Sequence, residues 1–312
     1  MPYGLNRDSG PNLILVKTAL DKLLDDMNQQ ENREGKAIAT DALIFTQDTA
    51  TNAAVVTSVI GGGGYFPKNT DDFYSRQSAN KSAPSPKTTQ IAEFAQNLPI
   101  ARTFMADQQQ SAVAKSVRQE YQAWRASQDR NAFGLYANGF TTQTTIDGAA
   151  WFSNSHVNQN GDTVDNLETG VFSNDNLNVL VNSLRRQISQ VGVIVGYEPK
   201  FLLTPAILHQ SATQIAKSVL RAGTGNNDLN YWSEMYPGMA VKYNPFLDST
   251  STTAYFIGTS NHDGYRFERE AFFTDLVDWK TSPDDQYTYK MRAREEVDSI
   301  SYVGVAASSG TV

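Results

Sequence analysis

The feature that most limits what this chain can fold into is the stretch 107–132, where the apolar residues keep helical spacing. Val113, Val117, Tyr121 and Trp124 follow at steps of four, four and three, so they share one face of an α-helix. Lys115, Arg118, Gln119, Gln122 and Arg125 fall on the other side. Asp107 or Ser111 can cap the start, and Gly134 stands just past the end. At 1.5 Å per residue this helix is about 37 Å long. An element as long as a small domain is wide must serve several modules. Extended polar segments precede it and α/β material follows.

Composition narrows the classes. A chain of 312 residues can bury a sizeable core and accommodate two domains. The net charge of −7 argues against a free nucleic-acid binder. The absence of cysteine excludes disulfides and thiolate metal sites, as befits a reducing compartment or a particle made in one. No apolar run reaches membrane-spanning length, so no membrane partner is expected. The first residues lack the basic-then-apolar order of a secretory leader, and synthesis in the cytosol is the expectation. Charged residues make up only 19%. A surface with so little charge fits contact with protein on many sides.

Pro11 can open a helix in which Leu13, Val16, Leu20, Leu23, Leu24 and Met27 form a stripe. That stripe must lie either on its own domain or on a neighbouring chain. Two β-rich pieces, 43–46 and 53–60, lead to Gly61-Gly62-Gly63-Gly64 and a polar stretch through Pro67, Pro84 and Pro86. A strand over 90–104 follows, with Ala92, Phe94, Leu98, Ile100 and Phe104 on one side. This pattern reads as a long hairpin with a polar tip. A hairpin with little to bury at home buries itself on a partner. The glycine run is not a phosphate loop: Gly64 is followed by Tyr65-Phe66-Pro67-Lys68, without Gly-Lys-Ser/Thr, and Pro67 interrupts the required helix.

Beyond the long helix, Trp151 and Phe152 need burial, while His156 lies in a polar run. Leu177, Leu180, Leu184, Ile188 and Val191 stripe a helix capped by Ser173 or Asn174. Val193-Ile194-Val195 and Phe201-Leu202-Leu203 read as buried strands. Thr204-Pro205 opens a helix bearing Leu208, Ala212, Ile215 and Val219 and closed by Gly223. Further strands are expected over 239–243, 254–257 and 300–307. Tyr287, Tyr289, Met291 and Ala293 alternate with Thr288, Lys290, Arg292 and Arg294 in another.

The chemistry-bearing residues form no constellation. His209 falls on a helix near its apolar face as a packed or capping residue. His262-Asp263 with Glu268 and Glu270 can be drawn as metal ligands, but the spacing matches no standard motif, and a solvated turn is the expected reading. There is no Gly-x-Ser-x-Gly. The carboxylate pairs Asp25-Asp26, Asp284-Asp285 and Glu295-Glu296 sit in polar settings expected to face solvent. We therefore expect no enzyme, and no catalytic, cofactor-binding or metal-ligating residues. The competing reading is a soluble α/β hydrolase or metal enzyme using His262.

The order of arm, hairpin, long helix, α/β domain and closing strands resembles the major capsid proteins of tailed bacteriophages, the α+β Hong Kong 97-type capsid fold. The run Asp147-Gly148-Ala149-Ala150-Trp151-Phe152-Ser153-Asn154-Ser155-His156 is similar to the signature after the long helix in Mu-type major head subunits. Phe201-Leu202-Leu203-Thr204-Pro205-Ala206-Ile207-Leu208 is similar to the strand-Pro-helix that follows there. Asp278-Trp279 ahead of Lys290-Met291-Arg292-Ala293-Arg294 fits the same ending.

The resemblance implies an N-terminal arm over 1–40 and an E-loop hairpin over 41–104. It also implies a P-domain over 105–174 with its spine helix, an A-domain over 175–277, and a return to the P-domain over 278–312. It implies hexamers and pentamers of this chain in an icosahedral shell around double-stranded DNA, assembled in the host cytoplasm with portal and scaffolding proteins and an optional decoration protein. Some members carry a large N-terminal scaffolding region for which this chain has no room, so a separate scaffolding protein or prior removal is implied. Some also form Lys–Asn cross-links, and Lys68, Lys81 and Lys87 lie in the hairpin. An encapsulin-like compartment of the same fold is the alternative.

Overall fold

A computed structural model describes residues 17–24, 35–59, 85–103, 110–219, 229–278, 280–281 and 286–311. The Gly61 to Gly64 run, Lys68, Lys81, Phe104, Asp107, Gly223 and the pairs Asp25-Asp26 and Asp284-Asp285 lie outside the described residues. The described strands are β1 (Thr46–Thr49), β2 (Ala54–Val59), β3 (Ser85–Gln90), β4 (Ala92–Ala101), β5 (His156–Val157), β6 (Thr163–Val164), β7 (Leu167–Glu168), β8 (Phe201–Thr204), β9 (Ala240–Tyr243), β10 (Tyr255–Gly258), β11 (Gly264–Val277), β12 (Gln286–Ser299) and β13 (Val305–Ser308). Helices with both ends described are α1 (Gln110–Asn138), α2 (Asn174–Arg186), α3 (His209–Lys217) and α4 (Tyr231–Met235). The chain divides into two compact units, one made of residues 1–34, 91–129 and 268–295, the other of 35–90, 130–267 and 296–312.

In the first unit β11, β12 and β4 are neighbours in that order. β12 and β4 pair antiparallel from Gln286↔Ala101 to Glu295↔Ala92. Side-chain alternation then puts Tyr289, Met291, Leu98 and Ile100 on one face of the sheet, where the stripe of α1 meets them: Val113, Val117 and Tyr121 are buried in the same cluster. Trp124 stacks on Phe272 with ring centres 5.4 Å apart, and Phe94 meets it edge-on at 5.6 Å. The N-terminal stripe finds its place here too. Residues 17–24 are helical, and Leu20 and Leu24 join this cluster instead of waiting for a neighbouring chain. Asp21 accepts hydrogen bonds from Thr274 (2.7 Å) and Tyr289 (3.1 Å).

The second unit is built on a five-stranded sheet, β7-β13-β10-β8-β9. Its central strands β13, β10 and β8 are buried along their whole length and mostly apolar, because both faces are covered. Phe201, Leu203, Phe256, Val305 and Ala307 point into one core with Ile44, Phe45, Phe133, Tyr136, Trp151 and Phe152. Leu202, Tyr255, Ile257 and Ala306 point into the other with Leu177, Leu180, Leu184 and Trp232. In this unit β1 lies beside β11, and β2 pairs antiparallel with β3 from Ala54↔Gln90 to Val59↔Ser85.

Several expectations need correcting. The long helix does not stop before Gly134; it continues to Asn138, because its last turns carry Phe133 and Tyr136, both fully buried. Burying two rings outweighs the cost of about 1 kcal/mol for a glycine in a helix. Ser111 lies inside the helix and does not cap it. Residues 43–45 form a turn, since Asp41 draws in Leu43 N through its carboxylate (3.0 Å) and Ile44 N and Phe45 N through its carbonyl; the strand starts at Thr46.

The expected strand over 90–104 runs from Ala92 to Ala101 and pairs with β12, while the hairpin partner of β2 is the preceding strand β3, which ends at Gln90. α2 ends at Arg186, short of Ile188 and Val191, because the buried side chain of Gln187 leaves the helix to bond Tyr302 O (2.9 Å) and Gly304 N (2.8 Å). Val193 to Val195 make no strand: Ile194 and Val195 are exposed. α3 ends at Lys217, leaving Val219 exposed, and the last strand begins only at Val305, after a turn at Gly304.

Candidate functional site

The residues that carry charge or chemistry are used here to fasten the fold. The densest such cluster lies at the base of the β2–β3 hairpin. On β3, Lys87 and Thr89 are two residues apart and therefore share a face. Asp298, near the end of β12, takes both: its carboxylate accepts from Lys87 Nζ (2.6 Å), Thr89 Oγ1 (2.5 Å), Gln143 Nε2 (2.5 Å) and its own neighbour Ser299 N (2.8 Å). The Lys87 ammonium also donates to Thr144 O (2.5 Å) and Ser299 O (2.7 Å). Three donors and three acceptors are thereby matched, with side-chain exposures of 18% for Lys87 and 9% for Asp298. All three Lys87 protons are thus committed to oxygens of its own chain. Nothing in the sequence pointed to Asp298, which is 211 residues away.

A second cluster closes the run 147–156. His156 is fully buried, with Nδ1 2.8 Å from Asp147 Oδ2 and Nε2 3.2 Å from Trp151 O. Tyr302 lies against its ring, centres 4.6 Å apart. Burial pushes the Asp147 carboxyl up, but hydrogen bonds from His156, Thr145 and Ala149 N more than offset this and hold it at about 2. Trp151 Nε1 donates to Ser301 O (3.1 Å), and Asn166 bonds both Trp151 O and Ser153 N.

His262 is not on a solvated turn. It is buried, its Nδ1 accepts from Gly264 N (3.1 Å), and its Nε2 faces Leu43 O (3.3 Å). Burial lowers its imidazole to about 4. Asp263 bonds Ser301, and burial raises its carboxyl. Glu270 pairs with Arg292 at 2.8 Å. Glu268 is not gathered with them: among the described residues no three His, Asp or Glu converge as metal ligands. His209 packs on Tyr243, ring centres 4.5 Å apart, and burial lowers its imidazole. Glu295 and Glu296 do not both face solvent; Glu295 is buried and accepts from Gln128 (2.9 Å), and Glu296 accepts from Asn131 (3.2 Å). Their polar neighbours in sequence concealed this, because the donors come from α1.

Two clefts remain. One of about 280 Å³ is lined by Phe94, Gln96, Glu120, Trp124, Phe272 and Met291 in the first unit. The other, about 460 Å³, lies beside Asp165, Glu168, Asn182 and Arg186 in the second. Neither contains a histidine. No described helix is long and apolar enough to cross a membrane.

An α+β chain whose ionisable groups fasten strands, with a hairpin held at its base, is organised as a building block. Comparison with known proteins gives that class its identity. A family model described as phage capsid protein matches residues 84–310, and the chain belongs to that family. It is thus a major capsid shell protein of a virion, with a structural role. The fold is shared with a solved structure from Microbacterium phage Oxtober96 (TM-score 0.54, 13% identity, covering 89% of this chain and 92% of that one). It is shared with the procapsid of bacteriophage JBD30 (0.50, 14%, 97% and 77%) and with the virus-like particle from Pyrococcus furiosus (0.50, 7%, 94% and 97%). Comparison with curated proteins gives no match.

Proposed function

We propose that this chain builds an icosahedral head around the double-stranded DNA of a tailed phage, as hexamers and pentamers, and that the β2–β3 hairpin is a principal contact between copies. The observation that carries this is the hairpin itself. Its described strands pair over six residues, β3 is tied to Asp298 through Lys87 and Thr89, and Val56 on β2 is 65% exposed. Between the strands lie residues 60–84, a polar sequence with four glycines and two prolines. Segments that reach from one subunit to the next multiply weak contacts into a closed surface.

In this reading residues 1–40 form the arm and 41–104 the E-loop. Residues 105–174 and 278–312 form the P-domain, 175–277 the A-domain, and the chain falls in the Mu-type group. The subunit performs no catalysis. Its partners are scaffolding and portal proteins met in the host cytoplasm, an optional decoration protein, and packaged DNA touched without sequence preference. A net charge of −7 suits that last contact, since strong positive charge would hold the genome too tightly for release. A hydrolase is the weaker reading, because His262 is enclosed with both ring nitrogens occupied.

The test is electron microscopy and light scattering of the purified protein, alone and with its scaffold. Shells are expected from the native chain. A version with residues 60–84 replaced by a short Gly-Ser turn should fold and remain unassembled. A native chain that stays monomeric at every concentration, with and without scaffold, would sink the proposal. Because a virus-like particle shares the fold, the particles should also be assayed for contents: nucleic acid supports the phage head, and a protein cargo supports an encapsulin-like compartment.

A further inference from the structure

We infer that Lys87 and Asp298 form a latch that fixes the direction in which the β2–β3 hairpin leaves the body of its subunit, making Lys87 a positioning residue for assembly. The shell consequence rests on the proposed function; the latch itself does not.

The argument starts from the hairpin's own bonds. Six residue pairs join β2 to β3, which makes a two-stranded ribbon but does not aim it. A ribbon is aimed by what its base is tied to. Here the tie is polar and comes from three distant pieces of chain: Gln143 and Thr144 beyond the end of α1, Asp298 and Ser299 at the end of β12, and Lys87 with Thr89 on β3. Lys87 is central, because it alone reaches the Thr144 carbonyl, the Asp298 carboxylate and the Ser299 carbonyl at once. Charge-assisted bonds of this kind are short and directional. Lys87 pairs with Thr57, the fourth pair along the ribbon from Ala54↔Gln90, so the latch holds the ribbon well beyond the point where its two strands enter the body.

The arrangement also predicts which change loosens the latch without breaking the fold. If Lys87 is replaced by Met, Asp298 keeps Thr89, Gln143 and Ser299 N, so no carboxylate is left buried without donors. The stem of Met occupies much the same space. Replacing Asp298 would instead remove the counter-charge of the ammonium and an acceptor of both Thr89 and Gln143 together.

Lys87→Met is therefore the test, read in two ways against the native protein. In hydrogen exchange on the unassembled subunit, backbone amides of β2 and β3 should exchange about tenfold faster or more, while those of β8 and β10 keep their native rates. In electron microscopy of assembled material, the diameter distribution should broaden or open sheets should appear. Lys87→Arg, which keeps the charge, should recover part of both. Unchanged exchange in β2 and β3 overturns the latch, and faster exchange with native diameters overturns its role in assembly. A native chain that forms no shells overturns that role as well as the shell reading, while exchange still decides the latch. Should Lys87→Met fail to fold, Thr89→Val, which removes one donor, is read the same way.

Discussion

Asp147 and His156 stand at the two ends of a ten-residue run, and their side chains meet at 2.8 Å. Between them the chain turns at Gly148 and delivers Trp151 and Phe152 into the core, both essentially inaccessible. The pair is a clasp that closes a loop around its own aromatic cargo. Thr145 Oγ1 and the amides of Ala149 and Val157 complete the carboxylate's set of donors.

Removing one member of a buried pair strands the other. Asp147→Ala should lower the free energy of unfolding by about 3 kcal/mol, measured by urea denaturation. His156→Ala should cost a similar amount, and the double variant distinctly less than the sum. Full additivity would show that the two residues act independently.

Acid should weaken the second unit in two separate windows. His262 is held at about 4 against an ordinary value of 6.5, so between these values the unfolded chain binds a proton that the folded chain refuses. Stability therefore falls as pH drops from 6.5 to 4, by roughly 3 kcal/mol. His209, also lowered by burial, adds in the same direction, while Asp263, raised by burial, opposes the trend in the carboxylate range. Asp147, held at about 2, contributes above its ordinary 3.8 and loses that contribution as pH falls through 2. Urea midpoints measured across pH should show the upper window shrink in His262→Gln while the lower one stays.

Phe133 belongs to the part of α1 that runs past the expected end. It is fully buried and meets Phe45 edge-on at 5.4 Å. Phe133→Ala should cost roughly 3–5 kcal/mol in urea denaturation. A change under about 1 kcal/mol would mean that the last turns of the helix are not fixed to this core.

Gly304 holds the turn into β13 at φ +77, and an added Cβ would lie 2.9 Å from Thr259 Oγ1 and 3.0 Å from Asn261 O. Gly304→Ala meets both a disfavoured backbone and a collision. The expected loss exceeds about 1 kcal/mol, readable as a lower thermal midpoint.

Sequence alone settled whatever depends on local repetition. The stripe of Val113, Val117 and Tyr121, the alternation of Tyr289, Met291 and Ala293 and the doubly buried strand Phe201-Leu202-Leu203 each follow from spacing along the chain, because burial selects for a period that can be counted. The capsid family was recognisable for the same reason, its short motifs being local. Tertiary structure decided what hangs on partners far away in sequence. Gly134 stays helical because of rings on distant strands, and Glu295 is buried because Gln128 is there to meet it. Lys87 is latched because Asp298 arrives from the other end of the protein. A polar residue looks the same in sequence whether it faces water or a buried partner, and only the fold supplies the partner.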